Sequence, residues 1–169
     1  MIRFARVAAS TACMLGFVLL SACGREPVHD PSAGLSNEAA VALIDRAPRS
    51  EVALQDLVEA YALGSKSTQA QREALTQGAL GHTVEWDLPV SDVSIAEDRF
   101  QLSTSAIATR NRAEAVPMLR VVAFVVARGA SDEQRLLRLR TDETVRIRGI
   151  VQEVRDQRAV AIVPAVLVP

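Results

Sequence analysis

With 169 residues, 19 basic and 20 acidic side chains and a formal net charge of −1, the chain lacks the basic excess of a general polyanion binder. Hydrophobic residues make up 49% and charged ones 23%, a balance that excludes a disordered polymer. Two cysteines are too few for a disulfide-stapled scaffold or a cysteine-based metal site.

The first residues read as an export signal. Arg3 and Arg6 precede an apolar stretch over residues 7–20, broken only by Ser10 and Thr11, and the small residues Ser21 and Ala22 follow. The apolar stretch falls short of the roughly 20 residues that a spanning helix needs. Leu20-Ser21-Ala22-Cys23 resembles the bacterial lipobox. That resemblance implies a diacylglycerol on the Cys23 thiol, cleavage between Ala22 and Cys23, and acylation of the new amine with a fatty acid such as palmitate. The implied partner is then the membrane itself, since two or more acyl chains hold a protein stably where one does not. Gly24, in place of an aspartate, implies sorting to the outer membrane, facing the periplasm. Two alternatives are an ordinary signal peptide with a cysteine beside its cut and a retained anchor. With Cys13 removed and Cys23 lipidated, no thiol would remain free, and residues 23–169 are enough for one domain and a tail.

Residues 23–35 are polar and hold Pro27, Pro31 and Gly34, as expected of a flexible tether, with His29 a solvated residue in it. Residues 36–80 carry a helical pattern. Ser36 caps a first helix through Arg46, stopped before Pro48. Ser50 is placed to cap a second, in which Leu54, Leu57, Val58 and Tyr61 share a face, with Gly64 ending it. Thr68 and Gln71 have the spacing of a capping box for a third, with Ala74 and Leu75 inward and Gly78 or Gly81 as its stop.

At His82 the period changes from 3.6 to 2. Val84, Trp86, Leu88 and Val90 alternate with Glu85, Asp87 and Pro89, the pattern of a half-buried strand. A second strand is expected over residues 99–107. A third, over residues 118–127, is so continuously apolar that it should be covered on both faces. Ser131 and Gln134 suggest a short capped helix over residues 131–139. Val145, Ile147 and Val151 then alternate with Arg146, Arg148 and Gln152, with Gly149 at a bulge or close approach. The last strand spans residues 159–168, where Pro164 points to an edge or a bulge.

Five strands with a helix between the third and fourth match the OB-fold, a small, partly open Greek-key barrel. The expected fold class is therefore mainly β within an α+β chain: a five-stranded barrel over residues 81–169 preceded by two or three short helices. Residues 54–168 resemble the tRNA-anticodon-like (tRNA_anti-like) OB family of bacterial envelope proteins. The resemblance is carried by the amphipathic helix around Leu57-Val58-Glu59-Ala60-Tyr61, the strand Gly81-His82-Thr83-Val84-Glu85-Trp86, the element from Leu139 to Gly149, and the close Pro164-Ala165-Val166-Leu167. The chain departs from the family at Thr141, where a glycine usually precedes the aspartate, and in the insertion between residues 64 and 81. The resemblance implies a fold and a binding module, not tRNA binding.

Enzymatic patterns are missing: no G-x-S-x-G elbow, phosphate loop, H-E-x-x-H or C-x-x-C occurs. No catalytic residue, metal or cofactor is therefore expected, and the acidic pairs Glu97-Asp98, Asp132-Glu133 and Asp142-Glu143 read as solvated turns and helix starts. Nucleic acid is not the expected partner either. Over residues 80–169 basic and acidic residues balance, and the aromatics Trp86, Phe100 and Phe124 all fall on apolar phases that predict core. The reading is an envelope-anchored, non-catalytic binding or adaptor module for another envelope protein or an envelope polymer. The alternative is an anionic ligand, an oligonucleotide or oligosaccharide, in the barrel groove, with Arg146 and Arg148 as its contacts.

Overall fold

The computed structural model describes Ser32 and residues 34–96, 99–110, 116–155 and 158–169. The export signal with Ala22 and Cys23, the tether through Pro31 with His29, and the pair Glu97-Asp98 lie outside the described residues. Three helices, α1 (Asn37–Arg46), α2 (Leu54–Tyr61) and α3 (Gln69–Ala79), precede the strands β1 (Thr83–Pro89), β2 (Asp92–Ala96), β3 (Arg99–Ser103), β4 (Arg120–Val125), β5 (Thr144–Arg155) and β6 (Ala159–Leu167). Helix α4 (Ala130–Arg138) lies between β4 and β5.

The six strands form one sheet in the order β1-β5-β6-β4-β3-β2. Its two edge strands, β1 and β2, are consecutive in the chain, parted only by Val90 and Ser91. Val90 bonds across to Asp142 and Glu143 beside β5, while Ser91 bonds to Ser103 on β3. One kinked length of chain thus joins both ends of the sheet, which closes into an OB-like barrel. Six strands are seen where five were expected, because the first strand of the barrel is broken into β1 and β2 at this kink. The added strand β2 carries Val93 and Ile95 at period 2, but its short, mostly exposed face gives little hydrophobic signal.

The interior is built from one phase of each strand. Val84, Trp86 and Leu88 meet Leu102, Val121, Ala123, Val145, Ile147, Val160 and Ile162 in one cluster, joined by Leu57 and Val58 of α2 and Leu136 of α4. Residues 121–125 of β4 and the following Val126 are all buried, so the expectation of a strand covered on both faces holds. Gly149 has no room for a side chain: an added Cβ would lie 2.6 Å from Ile162 and 2.7 Å from the Pro164 carbonyl. The β5–β6 register shifts at this close approach. Pro164 sits at a register irregularity of β6, between β4 and β5, so the bulge expectation is met and the edge expectation is not.

The helix ends show where local signals decided the structure. Ser36 accepts from the Ala39 N–H, and Thr68 and Gln71 form a complete capping box. Ser50 does not cap α2, whose N-cap is Ala53. Its hydroxyl accepts from the Val52 N–H and donates to the Gly78 carbonyl, tying the loop to α3 instead. Ala74 is exposed rather than inward, because Leu75 and Ala79 form the packed side of α3. Helix α4 starts at Ala130 without a cap from Ser131; Asp132 instead accepts from the backbone and guanidinium of Arg128. Asp142 itself takes the left-handed conformation, at φ 69°, one that aspartate tolerates better than most residues.

Candidate ligand-binding face

In an OB barrel ligands bind over the second and third strands, which here are β3 and β4. Side chains on the outside of a strand alternate with those inside, and the cross-strand register fixes which residues share the outer surface. Gln101 pairs with Phe124 and Ser103 with Val122, Val122 pairs with Ala161, and Arg99 pairs with Ala96 on β2. Val122, Phe124, Ala161 and Val163 form a buried cluster separate from the interior, and Ala96 is the described apolar residue that packs on it. Arg120 stands on the same phase of β4 and is half-buried. Trp86 and Phe100 belong to the interior as expected. Phe124, at 3% exposure, is buried on the opposite side of its strand. The sequence could not separate these two fates, because β4 is apolar on both phases.

Arg99 is the unusual side chain of this face. It is 1% exposed, and its Nη2 donates to the carbonyls of Ser32 at 3.2 Å and Leu35 at 2.8 Å. Buried guanidinium groups need partners that offset lost hydration, and here backbone from the segment ahead of α1 supplies them. Of the stretch expected as a tether, Ser32 is thereby buried, at 3% exposure. Helix α1 continues from it across the barrel, with Ala40 and Ile44 packed on Val126, Ile150 and Val166, Asn37 donating to the Ala127 carbonyl and Thr83 donating to the Ile44 carbonyl.

Arg146 and Arg148 lie elsewhere, on the outside of β5 beside β1. Arg146 makes a two-pronged contact with Asp87, both arms at 2.8 Å, with Glu85 at 3.9 Å. Its hydrogen bonds hold the Asp87 carboxyl below the ordinary carboxylate range, and Asp87 raises the Arg146 guanidinium in return. Arg148 donates to Asp45 of α1 at 2.6 Å. These two arginines are therefore spent on cross-strand and helix-docking pairs, and they do not share a surface with Phe124.

The remaining polar features are local. A cleft of about 450 Å³ between residues 49–54 and β1 mixes Arg49 and Arg148 with Glu51, Glu85 and Asp87, and the Trp86 indole N–H at its edge donates to the Val52 carbonyl. His82 faces the Leu80 carbonyl at 2.8 Å. Burial pushes the Asp132 carboxyl up, but the hydrogen bonds from Arg128 outweigh it and the net direction is down. Among the described residues no three His, Cys, Asp or Glu side chains gather as metal ligands, and no helix is long and apolar enough to cross a membrane.

No protein-family model matches the chain, and no curated protein matches it. In structure it is similar to a candidate nucleic acid-binding lipoprotein from Klebsiella pneumoniae, with TM-score 0.38 and 17% identity over 57% of this chain and 77% of that one. It is also similar to a chain of the S. pombe Stn1–Ten1 complex, with TM-score 0.32 and 14% identity over 51% of this chain and 57% of that one. Both are distant likenesses.

Proposed function

We propose that this chain is a bacterial envelope lipoprotein, anchored through lipid on Cys23 to the outer membrane, whose barrel is a non-catalytic binding module of the tRNA-anticodon-like OB type. Its ligand face is the outside of β3 and β4. The observation that carries this reading is the outer side of β3 and β4, where half-buried Gln101 and Ser103 border the buried Val122 and Phe124, at the position where OB barrels take extended ligands. The partner is another envelope protein or an envelope polymer. A photocrosslinker at Gln101 in intact cells should capture one dominant partner that the same group at Glu85, outside β1, does not reach. Equal capture of abundant neighbours from both positions would remove the reading. Lipidation is tested separately: Cys23→Ala should abolish labelling with radioactive palmitate and leave an unprocessed precursor.

A second reading, an anionic oligomer on the same face, is favoured by Arg120 standing on the phase of Phe124. Neutralisation by arginine is the contribution this face offers such a ligand, since the Phe124 ring is buried. Under this reading a fluorescent single-stranded oligonucleotide should bind with an affinity that falls as salt rises, and Arg120→Glu should weaken it. Arg146→Glu should leave it unchanged.

A further inference from the structure

Strand β1 is an edge of the sheet, and its backbone is paired along one side only. Alternate residues of an antiparallel strand turn their N–H and C=O to opposite sides. Thr83 turns away from β5: its N–H donates to the Pro48 carbonyl, and its carbonyl accepts from the Ser50 N–H. Arg146 turns its carbonyl to Val168 beyond β6, so Asp87, its partner across the ladder, also turns away from β5. Glu85, midway between Thr83 and Asp87, does the same. After Ser50 the chain leaves this edge for α2, and among the described residues nothing bonds to the backbone of Glu85 or Asp87. The open length borders the cleft of about 450 Å³ between residues 49–54 and β1. We propose that this edge takes, as an added strand, a short extended segment of a partner protein in which basic and apolar side chains alternate.

The chain itself shows that the edge accepts a strand. Arg49 and Thr83 form a parallel bridge, and an added segment continues that line past Ser50. Main-chain bonds of this kind supply affinity, and alternate side chains supply selectivity. Here the alternation is set by β1. Glu85 and Asp87 stand on its outside, whereas Trp86, Val52 and Leu54, which also line the cleft, belong to the interior cluster. Neighbouring strands share their alternation, so an added segment meets carboxylates with one set of side chains and apolar groups with the other. Asp87 is already paired with Arg146 and Arg148 with Asp45. Of the charged residues lining the cleft, that leaves Glu51 and Glu85 against Arg49, a balance that favours basic side chains. A second copy of this chain is the wrong occupant, because pairing β1 with β1 brings the Glu85 and Asp87 carboxylates of both copies together, and like charges opposite each other destabilise a ladder. The Nε of Arg148, on the wall of the cleft, is buried with no acceptor among the described residues; a carbonyl of the added segment gives it one. Pro89 brings no N–H to the edge, so the paired span ends at Leu88.

This edge is separate from the face proposed on β3 and β4, its occupant is a different one, and neither reading depends on the other. The probe is a fluorescein-labelled heptapeptide of alternating valine and lysine, titrated onto the full chain and followed by anisotropy. Binding should saturate. Exchanging the lysines for glutamates should weaken it about tenfold, and so should methylating the peptide's backbone nitrogens with its charges intact. In amide hydrogen exchange, the Glu85 and Asp87 N–H groups should slow about tenfold when the peptide is added, while that of Trp86, already bonded to β5, should not change. Glu85→Lys should weaken the lysine peptide, and Arg120→Glu, on the other side of the barrel, should leave its binding unchanged. Absence of saturable binding would overturn the proposal. Equal binding of the methylated peptide, or no slowing at Glu85 and Asp87, would reduce the contact to charge attraction and also overturn it. Loss of binding in Arg120→Glu would move the peptide to the other face, and slow exchange of the same two amides in a dimer without peptide would assign the edge to a second copy; either result removes the proposed strand.

Discussion

The outside of the barrel differs sharply between its two sides. Along β1 and β5 the outward positions are charged, Asp87 opposite Arg146 and Glu85 opposite Arg148; Arg146, Asp87 and Glu85 are about half exposed, while Arg148 is more buried where it meets Asp45. Along β4 and β6 the same outward alternation places Val122, Phe124, Ala161 and Val163, all buried. A solvated face needs nothing beyond its own pairs, whereas an apolar face of this kind is retained only where something covers it. The difference is why the ligand face is proposed on β3 and β4, and it shows the arginines of β5 engaged in ion pairs with Asp87 and Asp45.

The largest expected effect tests the scaffold that both faces share. Gly149→Ala should push a Cβ into Ile162 and the Pro164 backbone, lowering stability by about 3 kcal/mol and the melting temperature by roughly 10 °C in thermal unfolding. Next, Val121→Ala and Val122→Ala make the same deletion on the two sides of β4. The interior change should cost about 2 kcal/mol from lost burial and the cavity left behind. Val122→Ala should cost nearly as much while its face is covered; a denaturant-unfolding loss under about 0.5 kcal/mol would show that side to be open. Thr68→Ala removes a helix cap far from either face and should cost about 1 kcal/mol.

The smallest effect belongs to the charged side. Arg146→Ala should leave the melting temperature almost unchanged, and what change occurs should shrink in high salt, because exposed pairs are well screened. Asp87 is held below its ordinary carboxylate range by Arg146, as Asp132 is by Arg128. The contribution of both pairs is present above that range, near pH 4, and is lost as pH falls through the lowered values. Melting temperatures measured from pH 6 down to pH 3 should show this loss, and the Arg146→Ala chain should show a smaller one.

Much of this architecture is legible in the residues. The capping groups Ser36 and Thr68, the strand alternation from Val84 to Val90, the two-sided burial of residues 121–126 and the close approach at Gly149 each follow from local chemistry. The candidate face is less legible. Arg146 and Arg148 stand out in the sequence as exposed cations, but a lone strand does not show that Asp87 and Asp45 will meet them. Phe124 reads as interior because both phases of β4 are apolar, and period alone does not say which phase points inward.

By itself, the sequence determined the succession of helices and of the five barrel strands with the helix between the third and fourth, because propensity, capping and alternation act over a few residues. Only the tertiary structure decided that the first barrel strand breaks into β1 and β2, that Arg99 is buried against the carbonyls of Ser32 and Leu35, and that the apolar outer strip lies on β4 and β6. Those outcomes depend on strand closure and on partners far apart in the chain, 67 residues for Arg99 and Ser32, and no local pattern encodes which distant groups will share one face.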